Sequence, residues 1–214
     1  MRAANRQELT TDLGKPTKFP RTSRRENRIQ NVLTRRQSTL TVVLENVHDP
    51  HNVGAVLRSC DAVGILRVHT IYSVEERPER AYARTTSGSA SKWIEVIHHD
   101  SVDHCYAALR ADGFAILVTA ITETGIDLYG ADFSKPTALV FGNEQRGASE
   151  AAVTKADRAI EIPMMGMVES LNISVACAVS LFEAMRQRRN AGLYDAPQLP
   201  GEAISRLTKD WLLR

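Results

Sequence analysis

Apolar residues are arranged along this chain in short blocks, some with the pattern of a β-strand and others with the spacing of a helix. β-branched and apolar residues fill six blocks of strand length, at 39–47, 67–72, 93–97, 114–120, 137–142 and 159–163. Segments with apolar residues three and four positions apart lie between most of them, at 53–64, 101–113, 149–155 and 172–189. Gly64 ends the first of these and suits a helix C-cap. Strands that alternate with helices predict an α/β fold with a mostly parallel sheet flanked by helices.

Ligands bind such sheets where loops leave the carboxyl ends of the strands, and three loops here carry unusual residues. The first spans 45–60, where Asn52 stands at the start of the predicted helix and could cap its backbone N–H groups. Arg58 follows six residues later, on a segment with Val53, Val56 and Leu57. The spacing leaves two interpretations of Arg58 open, an exposed helix residue or a group directed into a site.

The second loop, "LVFGNEQRGAS" at 139–149, leads an apolar strand into Gly142, Asn143 and Glu144. It holds more functional groups than a chain reversal needs. The third, "IPMMGMVESLNIS", runs from 162 to 174 and places Ser170 and Asn172 before a helix. A structural interpretation makes Asn172 an N-cap and the methionines gap-fillers. The alternative makes the methionine and glycine loop a flexible wall around an adenine ring.

The length of 214 residues predicts one globular domain with terminal extensions. No apolar run approaches the roughly 18 residues of a membrane span, and no apolar segment follows the first basic residues. We therefore expect a cytoplasmic protein with no membrane association.

The net charge of +2 hides an asymmetry between the two parts of the chain. Residues 1–36 hold ten Lys and Arg against three Asp and Glu, a charge of +7 that leaves −5 for the remainder. Ile29, Val32 and Leu33 form a narrow apolar stripe, which predicts a docked helical arm that presents arginines outward. The arm suits RNA phosphates, although a merely solvated helix stays an alternative. The arginines in question are Arg24, Arg25, Arg28, Arg35 and Arg36.

The sequence offers little support for cysteine, metal, nucleotide-binding or hydrolase sites. Cys60, Cys105 and Cys177 lack CxxC spacing and predict reduced, buried thiols, with a catalytic cysteine as the lesser alternative. His48 and His51 have no convincingly spaced third ligand, so we predict no metal site. The chain contains no Walker lysine loop, no GxGxxG after the first strand, no serine elbow and no HExxH helix.

Taken together, "NVHDPHNVGAVLRSCDAVGI", "LVFGNEQRG" and "IPMMGMVESLNISVACAVSLFEA" resemble motifs one to three of the TrmH family of ribose 2′-O-methyltransferases, within the SPOUT superfamily. The resemblance covers roughly residues 25 to 212. It is greatest to the enzymes that methylate the D-loop guanosine at position eighteen of tRNA, which share the basic arm and the tail "AGLYDAPQL…DWLLR". It implies a C-terminal deep trefoil knot, a homodimer, S-adenosylmethionine as methyl donor and tRNA as partner.

The resemblance also implies roles for individual residues. The cofactor would touch Thr119, Gly142, Ile162 and Leu171. The catalytic set would be Asn52, Arg58, Glu144, Ser170 and Asn172. Arg58 would stabilise the developing alkoxide rather than act as a base, because arginine is very hard to deprotonate. Asn52 and Glu144 would position Arg58 and the hydroxyl, while Ser170 and Asn172 would hold the third loop.

The expected organisation is a poorly ordered segment at 1–20, the arm at 21–38, the methyltransferase domain at 39–190 and a tail with a helix at 191–214. Three alternatives stay open at this point. They are methylation of another tRNA or rRNA nucleotide, a non-catalytic RNA-binding protein on the same scaffold, and, with less support, a small-molecule enzyme.

Overall fold

The computed structural model describes residues 23–74 and 90–214, so the segment 1–20 and most of the polar loop at 83–92 lie outside the described residues. The described strands are β1 (Leu40–Glu45), β2 (Arg67–Ile71), β3 (Glu95–His99), β4 (Ala115–Thr119), β5 (Ile126–Asp127), β6 (Thr137–Phe141) and β7 (Arg158–Glu161). The described helices are α1 (Ser23–Leu33), α2 (Pro50–Val63), α3 (Val102–Ala111), α4 (Glu150–Lys155), α5 (Ile173–Asn190) and α6 (Gly201–Leu212). None of the helices in these ranges has both the length and the apolar content needed to cross a bilayer.

The strands form one sheet in the order β3-β2-β1-β6-β4-β7-β5, and every neighbouring pair is parallel. The predicted α/β class is therefore confirmed. The two-residue strand β5 was not predicted, because two residues are too few to show a period. β6 lies between β1 and β4, which places a late strand beside the first one. The trefoil knot stays a prediction.

The apolar core lies on both faces of the sheet. Leu40, Val42 and Leu44 of β1 pack in one cluster with α2 and α5, whereas Val43 points the other way, toward α3 and α4. All six residues of β1 are buried, as expected for a central parallel strand covered by helices on both faces. β1 is therefore held firmly in the middle of the sheet, and the loop at its carboxyl end starts from a fixed position.

Helices α1 and α6 form a separate small cluster in which Ile29 and Leu33 pack against Trp211. Val32, which the sequence placed in the same stripe, is 36% exposed. The helix ends at Leu33, and residues 34–39 connect it to β1. The predicted arm is thus held by a narrower apolar contact than its sequence indicated.

The expectation that Arg36 faces outward is wrong. Its guanidinium is fully buried, donates to the carbonyl of Ile65 at 2.7 Å and to Asp61 Oδ1 at 2.5 Å, and lies 5.2 Å from the centre of the Trp211 ring. The reason is that the helix has ended before Arg36, so helical spacing no longer decides where its side chain points. A buried charge needs hydrogen-bonding partners, and Asp61 and Ile65 supply them.

Candidate active site

Three loops meet where β1, β6 and β7 end. β1 and β6 are adjacent, and β4 separates β6 from β7. Because all strands are parallel, the loops β1–α2, β6–α4 and β7–α5 leave the same edge of the sheet. The three motifs found in the sequence are therefore neighbours in space, although up to 120 residues separate them along the chain.

Asn52 connects the three loops. Its amide nitrogen donates to Glu144 Oε1 at 3.0 Å, and its amide oxygen accepts from Asn172 Nδ2 at 3.2 Å. The structure corrects one detail, because α2 begins at Pro50 and its N-cap is Asp49, whose carboxylate accepts from the His51 amide. Asn52 is thus inside the first helical turn. Its side chain is free of the capping role and is used between loops instead.

The β6–α4 loop is a tight reversal closed by its own backbone. Asn143 and Gly147 exchange two backbone hydrogen bonds of 2.9 Å, and Asn143 Oδ1 accepts from the amides of Gln145 and Arg146. A Cβ atom at Gly142 would lie 2.0 Å from the backbone nitrogen of Ala148. Only glycine fits there, and this close approach sets the position from which Glu144 projects.

Two residues at the end of β1 anchor this loop. The buried carboxylate of Glu45 accepts from the backbone nitrogen of Ser149 at 2.9 Å and from its hydroxyl at 2.5 Å. The carbonyl of Asn46 accepts from Asn143 Nδ2 at 2.7 Å. No role was predicted from the sequence for Glu45, Asn46 or Asn143. The available signal was a charged residue and an amide at the carboxyl end of a mostly apolar strand, where burial demands partners.

The third loop confirms Asn172 as the N-cap of α5. Its side-chain oxygen accepts from the backbone nitrogen of Ser174 at 2.9 Å and from the Ser174 hydroxyl at 2.6 Å. The same side chain donates to Asn52, which places the helix cap in contact with the first loop, while the catalytic role of Asn172 stays a prediction. One amide thereby fixes both the start of α5 and its distance from α2.

A cavity of about 710 Å³ lies beside these loops. This volume is within the roughly 300 to 1,000 Å³ usual for small-molecule sites. Thr119, Ile162, Ser170 and Leu171, all expected at the site, line it together, whereas Gly142 packs against Ala148 in the next loop. The lining also includes Met164, Gly166, Glu161 and Glu169. Apolar side chains and exposed backbone with two carboxylates suit a flat, partly cationic ligand.

Arg58 lies nearly two helical turns beyond Asn52 on α2, and its side chain is exposed. The exposure agrees with the first of the two interpretations left open by spacing, an exposed helix residue, and leaves the second, a group directed into a site, untested. An exposed arginine is accessible to a macromolecular substrate. Its catalytic role stays a prediction.

The arm borders a basic groove. Arg24, Arg28 and Arg35 are exposed and line a cavity of about 1,060 Å³ together with Arg189 from the end of α5. Arg25 is half-buried and lines a smaller neighbouring cavity beside Trp93 and Trp211. Arg189 was not predicted, because its place beside the arm depends on how α5 packs.

The cysteines are not at the site. Cys60, Cys105 and Cys177 are free and buried, as predicted. Burial raises the pKa of the Cys60 thiol well above its usual range and that of Cys105 to about 12. Thiols in this protonation state are poor nucleophiles, so the lesser alternative of a catalytic cysteine receives no support.

Comparison with known proteins gives a consistent set of similarities. A family model described as the SpoU rRNA Methylase family matches residues 39–182. A tRNA (guanosine(18)-2′-O)-methyltransferase of Thermus thermophilus is 48% identical over 192 residues, which cover 90% of this chain and 97% of that protein.

Two crystal structures extend the similarity to the fold. The TrmH/SpoU tRNA modifying enzyme of Aquifex aeolicus superposes with a TM-score of 0.79 at 35% identity, covering 88% of this chain and 95% of that one. An AdoMet-bound rRNA methyltransferase of Sinorhizobium meliloti gives a TM-score of 0.62 at 28% identity, covering 73% of this chain and 59% of that one.

Proposed function

Because this chain belongs to the SpoU rRNA methylase family, as the resemblance to TrmH-type enzymes predicted, we propose that it methylates the ribose 2′-hydroxyl of guanosine 18 in the D loop of tRNA, with S-adenosylmethionine as donor. The observation that carries the proposal is the Glu144–Asn52–Asn172 hydrogen-bonded chain beside a cavity of cofactor size. The tRNA relatives of high identity favour tRNA over rRNA.

The residues present fit the cofactor. Ile162, Met164 and Leu171 offer apolar contacts to a flat base, and the irregular backbone after β7 offers hydrogen-bonding groups to its edge. Glu161 and Glu169 place negative charge around a ligand whose sulfonium is positive. When bound there, S-adenosylmethionine supplies an electrophilic methyl group.

Arg58 is the residue that we assign to the attacking hydroxyl. A ribose hydroxyl becomes a competent nucleophile only as its proton leaves, and negative charge then grows on the oxygen. A guanidinium beside that oxygen stabilises the charge, while the proton passes to water or to a phosphate of the substrate. Arginine keeps its own proton throughout, since a guanidinium group is very hard to deprotonate.

Asn52, Glu144 and Asn172 act as positioning residues in this proposal. Their hydrogen bonds fix the first turn of α2 against the two other loops, and α2 carries Arg58. Ser170 and Leu171 extend from the fixed start of α5 into the cavity wall. Small displacements between reacting groups cost large factors in rate, so this bracing has a direct kinetic role.

The test of the catalytic assignment is Arg58→Ala. We expect single-turnover methyl transfer to fall at least about a hundredfold, while cofactor affinity by calorimetry changes only a few fold. Arg158→Ala is the matched control, since this exposed arginine starts β7 at the opposite edge of the sheet. Loss of cofactor binding in Arg58→Ala, or activity like the control's, would overturn the assignment.

We assign the arm to tRNA phosphates. Arg24, Arg28 and Arg35 share one groove with Arg189, and clustered guanidinium groups suit phosphate oxygens. Replacing Arg24 and Arg28 by alanine should lower the slope of log K against log salt by roughly 0.7 to 0.9 per lost contact. Replacing the half-buried Arg25 should lower the slope by less. Arg36 is not expected to contact phosphates, because it is buried. An unchanged slope would exclude the arm from substrate binding.

We also assign the enzyme a homodimeric state. Val175 and Phe182 stand two turns apart on one side of α5, each 47% exposed, and Val168 is 62% exposed near its start. An apolar strip of this kind marks a protein contact. Phe182→Glu should give monomers in sedimentation at nanomolar concentration, while Tyr129→Glu, at another exposed aromatic, should not. A dimeric Phe182→Glu protein would exclude this strip.

The substrate itself is tested by mapping 2′-O-methylation in total RNA from cells that lack this chain. Loss of the methyl group at guanosine 18 of tRNA, restored by the wild-type chain and not by Arg58→Ala, is the expected result. Loss of a 2′-O-methyl group at an rRNA position instead would mean that the substrate is rRNA, while the reaction would still be methylation of a ribose 2′-hydroxyl. With tRNA as its substrate, we propose that the enzyme acts in the cytoplasm.

A further inference from the structure

Away from the three loops, two histidines and a cysteine gather at the β2–β3 side of the sheet. His69 of β2, His99 of β3 and Cys105 of α3 each offer one ligand atom, and these three atoms all lie within 4.8 Å of one another. His69 Nδ1 and His99 Nε2 are 2.9 Å apart, with their rings stacked at 16°. Because β3 is an edge strand, the cluster stands on the opposite side of β1 from β6 and β7.

We propose that His69, His99 and Cys105 form a binding site for a divalent transition-metal ion of the zinc class, which links the edge strand β3 to β2 and to helix α3. Imidazole nitrogen and thiolate sulfur are the donors that such ions prefer. Three protein ligands leave the fourth position of a tetrahedral ion to water. The proposal is independent of the methyl-transfer reaction.

The geometry lies close to what the ion requires. At Zn–N distances of about 2.05 Å and a tetrahedral angle, two imidazole nitrogens stand about 3.3 Å apart, and a nitrogen and a sulfur about 3.6 Å apart. The histidine pair therefore has to open by only a few tenths of an ångström from its 2.9 Å contact. The sulfur has to approach by at most about 1.2 Å, the difference between the 4.8 Å limit and the required separation of about 3.6 Å.

The histidines are already in the protonation state that a metal needs. Burial, followed by the neighbouring His99 and Arg67, lowers the pKa of His69 to about 4, and burial also lowers the pKa of His99. Both rings are therefore neutral at pH 7, and the hydrogen atom between them can move to the outer nitrogen of its own ring by tautomer exchange. Binding then releases a single proton from the Cys105 thiol to solvent, because the thiolate is the ligand form and the metal ion has to displace a proton whose pKa burial raises to about 12.

The cluster can be reached from solvent. His99 is only half-buried, and His69 also lines a cavity of about 380 Å³. No metal site was expected from the sequence, because the closely spaced His48 and His51 have no convincingly spaced third ligand. The ligands proposed here come from two strands and a helix, and only the pairing of β2 with β3 brings them together.

The experiment is a titration of the purified chain, first stripped with a chelator, with Zn²⁺ and with Co²⁺. We expect one equivalent to bind, with release of about one proton per ion at pH 7. Bound Co²⁺ should show thiolate-to-metal charge-transfer absorption, and Zn²⁺ should raise the thermal midpoint by about 5 °C or more. His99→Gln should weaken binding at least about a hundredfold, as should Cys105→Ser where it folds.

The matched control is His98→Gln. His98 is the neighbouring residue on β3, but its ring points to the other face, where it contacts the Thr70 hydroxyl at 2.6 Å. This variant should bind the ion with wild-type affinity. Wild-type protein without a bound equivalent, equal affinities of His99→Gln and wild type, or a cobalt complex without the thiolate absorption would each overturn the proposal.

Discussion

Replacing Gly142 by alanine is expected to disable the β6–α4 loop, because the added methyl group has no space. Its Cβ would lie 2.0 Å from the nitrogen of Ala148 and 2.1 Å from the carbonyl carbon of Gly147. Ordinary contacts between carbon and backbone atoms start near 3.4 Å. The obstacle is backbone rather than the end of a flexible side chain, so the loop has to move by more than about 1 Å.

That displacement acts on identified hydrogen bonds. The two backbone bonds between Asn143 and Gly147 span the shifted segment, and the bonds from Ser149 to Glu45 follow it. At about 1 kcal/mol each, loss of the first two lowers the free energy of unfolding by about 2 kcal/mol. Glu144 moves with the loop and releases Asn52, so we expect methyl transfer to fall at least about a hundredfold.

The assay pairs urea unfolding with single-turnover methyl transfer on the same variants. Gly130→Ala is the control, since a Cβ there meets nothing within 4 Å, and its stability should stay within about 0.5 kcal/mol of wild type. Gly147→Ala separates crowding from strain, because it has open space but a φ of +69°, and should cost about 1 kcal/mol. If Gly142→Ala kept wild-type stability and activity, the packing argument for this loop would be refuted.

Three further predictions follow from other contacts. Asn172→Ala should lower the free energy of unfolding by about 1 kcal/mol, because α5 loses its cap, and should also reduce methyl transfer. Ser101→Ala removes the cap of α3 and should cost similar stability while methyl transfer stays unchanged. Equal activities of the two variants would contradict a site role for Asn172. Arg188→Met should lower the free energy of unfolding in urea by about 3 to 4 kcal/mol, because the buried guanidinium donates four hydrogen bonds, two of them to the carbonyls of Thr39 and Lys135. Arg189 is exposed, so Arg189→Met should lower it by less than about 0.5 kcal/mol. The pKa of His69 is lowered to about 4 in the folded chain, so on acidification the unfolded chain binds a proton at this histidine before the folded chain does. With chelator present, the free energy of unfolding should therefore be constant above about pH 6.5 and fall by about 3 kcal/mol toward pH 4. A His69→Asn variant whose free energy of unfolding depends on pH in the same way would refute this prediction.

Much of the fold and the identity of the site loops could be predicted from the sequence. Period and composition depend on local conformation and burial, which is why six of the strands and the helices around them were found. The alternation of strands and helices placed Asn52, Glu144 and Asn172 between a strand and the helix that follows it, and parallel strands bring such connections to one edge. The order of the strands could not be predicted, since nothing local in 137–142 indicates that β6 inserts between β1 and β4.

Contacts between distant residues were decided by the tertiary structure alone. The sequence gives Arg36 the same appearance as Arg35, yet the end of α1 at Leu33 directs Arg36 into a buried pair with Asp61. Glu45 finds its partner at Ser149, 104 residues away, through the neighbouring positions of β1 and β6. His69, His99 and Cys105 likewise share no sequence period. Periodicity records how a residue relates to its own element, whereas these partners are set by how the elements pack, because a buried polar group is stable only where the fold supplies its complement.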